Sequence, residues 1–131
     1  MFIPEAGSSV KGKVIQVIGS PFTGFGLELK RNYNVKNTGR GHELIPLATI
    51  NDEHITDVIG EDPEKETRDI TAHDVLEKEA KRIDAPVASR TPLDPSAENC
   101  QTWLWMYVEH LVKKELIDEA ALDVLKNAKA F

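Results

Sequence analysis

The run Lys13-Val14-Ile15-Gln16-Val17-Ile18 stops at Gly19-Ser20-Pro21, and alternation resumes in Phe25-Gly26-Leu27-Glu28-Leu29-Lys30. Two strand-forming runs on either side of a strong turn signal read as an antiparallel hairpin. The glycines at 19, 24 and 26 match no phosphate-binding pattern, neither GxxxxGK[ST] nor GxGxxG, and read as hairpin residues. A hairpin of this kind needs one face covered, so the rest of the chain must supply the cover.

Residues 1–50 as a whole are strand-rich. Phe2-Ile3 reads as the tail of a further strand whose beginning lies outside the chain, and Glu43-Leu44-Ile45-Pro46-Leu47 as a third candidate, with Pro46 marking an edge or a strand end. Residues 51–70 read as an acidic, solvated loop with room for one short helical turn. Residues 71–84 read as a helix, with Thr71 as N-cap, Asp74 in the box position, and Val75, Leu76, Ala80 and Ile83 at helical spacing. Residues 85–95, punctuated by Pro86, Pro92 and Pro95, read as an extended connector. Two helices occupy 96–131. The first carries Cys100, Trp103, Leu104, Tyr107, Val108, Leu111 and Val112 on one stripe; the second, about 118–129, turns Ala121, Leu122 and Leu125 inward. Strands followed by helices predict an α+β fold in one domain, a small antiparallel sheet from the N-terminal half packed against C-terminal helices.

At 131 residues with 40% hydrophobic content, the chain has enough apolar material to fold around its own core. One cysteine excludes an intramolecular disulfide framework and a multi-cysteine zinc site, and it suits a reducing compartment. No signal peptide and no bilayer-length apolar run are visible, so the expected location is cytoplasmic, with no membrane span. The net charge of −6 is unevenly placed. Residues 1–50 hold six basic and three acidic side chains, whereas residues 51–84 hold five basic and twelve acidic ones. This balance argues against nucleic acid as a partner. Phe22, Phe25, Lys30, Arg31, Tyr33, Lys36 and Arg40 interleave aromatics with positive charge, but they read as inward rings and a solvated basic face.

Chemistry concentrates on Cys100 in Asn99-Cys100-Gln101-Thr102-Trp103. The first backbone N–H groups of a helix lack intrahelical acceptors, and the macrodipole puts positive charge there; both favour the thiolate, which is the nucleophile. Two helix starts fit the sequence. If Asp94 caps, with Pro95 as first residue, Cys100 lies in the second turn, where the effect fades; if Asn99 caps, Cys100 lies in the first turn. His42 is the only histidine on a predicted strand and the default base. His110 is ten residues after Cys100, nearly three turns along the same helix, and too far to touch it. His54 and His73 sit in acidic surroundings. Asp52, Glu53, His54 and Asp57 show no recognised ligand spacing, so neither a metal nor another cofactor is expected. Trp105 points about 200° away from Trp103, and an exposed Trp105 would suit a partner or homodimer contact.

The blocks Val17-Ile18-Gly19-Ser20-Pro21-Phe22-Thr23-Gly24, Lys30-Arg31-Asn32-Tyr33, His42-x-Leu44-Ile45-Pro46-Leu47 and Asn99-Cys100-Gln101-x-Trp103 resemble, in that order, a family of small uncharacterised fungal proteins. That family is in turn similar to the circularly permuted papain-like fold of lecithin:retinol acyltransferase-like and cell-wall-peptidase-like enzymes. The resemblance implies that Cys100 matches the nucleophile and Asn99 the residue before it. It places a His-aromatic pattern immediately before Met1 and a second polar residue, commonly His, at Gln16. Glutamine cannot act as a base. The expected site is therefore Cys100 with His42 as base, lined by Asn99, Gln16 and Trp103. Two functions remain open. The favoured one is a non-catalytic or degenerate member of this thiol-enzyme-like fold, binding an unknown small molecule or protein through the cleft beside Cys100 or through the Trp105 face. The alternative is a cysteine-dependent acyltransferase or amide/ester hydrolase. There Cys100 attacks a carbonyl and a backbone N–H near it holds the oxyanion.

Overall fold

The computed structural model describes residues 1–5, 7, 10–37, 47–57 and 65–127. Its sheet has four antiparallel strands in sequential order: β1 (Phe2–Pro4), β2 (Lys11–Ser20), β3 (Gly24–Asn34) and β4 (Thr67–Asp69). Three helices follow: α1 (Val75–Lys81), α2 (Cys100–Lys113) and α3 (Ala120–Asn127). The architecture is α+β, as the order of strand and helix signals requires.

The β2–β3 hairpin is the spine. Its register runs from Lys11 opposite Asn34 to Ser20 opposite Gly24, with an irregularity between Gly12 and Val14. Gly12 is needed there: a Cβ on it would sit 2.1 Å from the Ile3 carbonyl oxygen, inside the β1–β2 pairing. Alternation sends Ile15 and Val17 of β2 and Leu29 of β3 to the helical side, where all three are buried. With Ile3 they meet Leu76 and Ala80 of α1, Trp103, Tyr107, Val108 and Leu111 of α2, Ile117, and Ala121 of α3 in one hydrophobic core.

Of the helix stripe read from the sequence, Trp103, Tyr107, Val108 and Leu111 are buried and Leu104 and Val112 half-buried, whereas Cys100 is exposed. Trp103 and Tyr107 stack at 4.9 Å between ring centroids. Their polar ends reach backbone oxygens, Trp103 Nε1 donating to Ile83 at 3.0 Å and the Tyr107 hydroxyl to Leu76 at 2.7 Å. The proline-spaced connector, expected to be extended over 85–95, is so only in its first part, which docks on the hairpin tip. From Thr91 it folds into turns, with the Asp94 N–H donating to the Thr91 carbonyl and the Ala97 N–H to the Asp94 carbonyl. The Phe25 N–H donates to the Pro86 carbonyl, and the Ser89 N–H to the Pro21 carbonyl.

Several boundaries differ from expectation. Asp74, not Thr71, caps α1: its Oδ1 accepts from the Glu77 N–H at 2.9 Å, and the helix closes at Lys81, short of Asp84. Thr71 instead lends its carbonyl to Arg31. The segment 51–70 is not all loop. It contains a short 3-10 turn at Asp52–His54 and strand β4. A three-residue strand leaves no readable period; β4 is held by pairing with Leu29–Arg31 and by a bidentate Arg31–Asp69 contact. The strand expected over Glu43–Leu47 lies outside the described residues except for Leu47, which packs against the core. The last helix starts at Ala120, two residues after its expected beginning, because Asp118 Oδ1 accepts from the Ala120 N–H.

Candidate functional site

The start of α2 resolves the two capping alternatives. Asn99 is extended, its side-chain oxygen accepts from the Gln101 and Thr102 N–H groups at 2.9 and 3.2 Å, and the Thr102 hydroxyl accepts from the Asn99 N–H at 3.2 Å. This reciprocal box fixes the first helical residue as Cys100. Asp94 closes a local turn instead, accepting from the backbone and side chain of Ser96. Cys100 is exposed. The Met1 nitrogen, bonded to the Ile15 carbonyl at 2.7 Å, lies within electrostatic reach of it.

The other expected members do not assemble around the sulfur. His42 lies outside the described residues. Gln16 alternates with Ile15 and Val17, so it occupies the sheet face turned away from the helices, where its Nε2 donates to Glu28 at 2.9 Å. Trp103 is a core residue, buried by its stacking on Tyr107. Of the four histidines, His110 bridges to Glu79 of α1, His54 sits 3.7 Å from Glu53, and the exposed His73 offers its backbone N–H to Glu77. Among the described residues, no imidazole hydrogen-bonds to Cys100. The His110 contact also holds the Glu79 carboxyl below its ordinary range, with burial opposing and Arg82 assisting.

A second constellation was not anticipated. Lys13 of β2 and Arg31 of β3 are buried charged side chains on the helical side of the sheet. Lys13 Nζ contacts Asp74 Oδ2 and, at 2.6 Å, Glu77 Oε2. Arg31 forms a two-pronged contact with Glu77 at 2.7 Å on each prong and a second fork with Asp69 at 3.1 and 3.0 Å. Asp74 also accepts from the Thr56 N–H, and Glu77 from the His73 N–H. Burial disfavours the Glu77 carboxylate, but hydrogen bonds from Arg31 and Lys13 outweigh it and hold the group at about 2. The Arg31 hydrogen bond likewise keeps Asp69 below the usual carboxylate range. Tyr107 moves upward, first through burial and then through the nearby Asp74, Glu77 and Glu79. Lys13, Arg31, Asp74 and Glu77 are buried with their charges paired, and Asp69 closes the cluster from its half-exposed edge, so its work is to lock α1, β4 and the Thr56 segment onto the sheet. A signal for it was present: Lys13 shares a strand face with Ile15 and Val17, and a charge on an inward face needs a counter-charge.

A recess of about 590 Å³ opens at the other end of α2. Thr49, Asn51 and His54 form one wall, and Val112, Glu115, Leu116, Ile117, Asp118 and Glu119 the other. The corner between α2 and α3 is built by two bonds, Leu116 N–H to the Leu111 carbonyl and Glu115 N–H to the Val112 carbonyl, both 3.0 Å. That geometry puts Glu115 at φ 59, a conformation glycine takes more readily. The recess and Cys100 are separated by the length of a fourteen-residue helix, about 20 Å. Among the described residues, no group of three or more His, Cys, Asp or Glu is arranged to hold a metal ion, and no helix is long and apolar enough to cross a membrane. The inward rings and solvated basic face expected of residues 22–40 are not what the described ones form: Phe22 is exposed, Arg31 is buried against Glu77, and Lys30 lies over the Tyr33 ring.

Fold and site together define a small α+β protein with a thiol at a capped helix start and a recess at the far end of that helix. The chain belongs to a family of unknown function, DUF6540, whose model matches residues 1–118. No curated protein and no solved structure matches it.

Proposed function

We propose that this chain is a non-catalytic binding protein on a thiol-enzyme-like scaffold. The observation that carries the reading is the isolation of Cys100. It stands exposed at the first position of α2 with no imidazole bonded to it among the described residues, while Gln16 faces away and His110 is tied to Glu79. Among the described residues, no side chain is bonded to the thiol that would activate it and later protonate a leaving group. Binding is better served by the recess beside Ile117. Its lining combines Val112, Leu116 and Ile117 with the carboxylates of Glu115, Asp118 and Glu119, so it suits a partner presenting a cationic group beside a small apolar one.

One observation favours the alternative, a cysteine-dependent acyltransferase or hydrolase. The resemblance places a histidine immediately before Met1, and the Met1 nitrogen lies near Cys100. A base in that neighbourhood would complete the first two parts of a nucleophilic site.

Turnover of an activated ester separates the two. For the binding protein, wild type and Cys100→Ser release the leaving group at the same background rate. Multiple turnovers by the wild type, abolished in Cys100→Ser, would overturn the non-catalytic reading.

A further inference from the structure

We draw no further inference here: the strongest candidate, the apolar patch at the β2–β3 hairpin tip where exposed Ile18 and Phe22 neighbour the docked segment around exposed Val87, is an unpartnered face, and nothing in the structure shows what covers it.

Discussion

Glu77 is the residue on which the inner charges turn. Its side chain is fully buried, and its two oxygens take both prongs of Arg31, the ammonium of Lys13 and the His73 N–H. Removing one member of a buried ion cluster is more damaging than never having built it, because the remaining charges stay desolvated and lose a partner. Glu77→Gln is therefore expected to lower stability by about 3–5 kcal/mol in urea unfolding at pH 7. The pH dependence has a definite sign. The folded-state value of about 2 lies below the ordinary 4.5, so the stabilisation is fully present above 4.5 and is lost as pH falls from 4.5 through 2. The wild type should lose stability across that window, and Glu77→Gln should lose less of it. Equal acid slopes in the two proteins would show that Glu77 is not the group responsible. Little of this was readable beforehand. The inward position of Lys13 could be inferred from strand alternation, but its partners lie 61 and 64 residues away, and nothing local names them.

The two ends of α2 make opposite predictions. At its start, Asn99 satisfies two backbone N–H groups that have no other acceptor, and Asn99→Ala should cost about 1 kcal/mol, read as a lowered Tm. At its end, Glu115 occupies the left-handed region, where a Cβ is unfavourable. Glu115→Gly should raise stability by about 1 kcal/mol, and a neutral or lower Tm would mean that the Glu115 side chain makes compensating contacts. The helix itself was legible because its signals are local. The stripe Trp103, Tyr107, Val108 and Leu111 repeats at the helical period, and Asn99 with Thr102 forms a box within four residues. Strand β4 was not legible. Three residues carry no period, and Thr67–Asp69 is a strand only because β3 offers an edge and Arg31 grips Asp69. The cap of α1 is also decided by distant partners. Thr71 and Asp74 are both good capping residues, and Asp74 takes the role because Lys13 and the Thr56 N–H hold it there.

Taken whole, the molecule separates its thiol from its recess by the length of α2, so ligand binding and thiol chemistry can be measured independently. Titrating ¹⁵N-labelled protein with a short alkylammonium salt should shift the amides of Leu116, Ile117 and Glu119, and the matched alkylcarboxylate should leave them in place. Added salt should weaken the effect, because the rim carboxylates are exposed and screened. Glu119→Gln should reduce the shifts; identical shifts from both salts would leave only apolar contact. The sequence by itself determined the hairpin, the core-facing positions of α2 and the α+β class, because each is written in residues a few positions apart. Only the tertiary structure decided that Gln16 turns from Cys100 and that Lys13 and Arg31 share Glu77. Those outcomes depend on which face of the sheet the helices cover and on pairs separated by 46 to 64 residues, and at such separations contact is a property of packing.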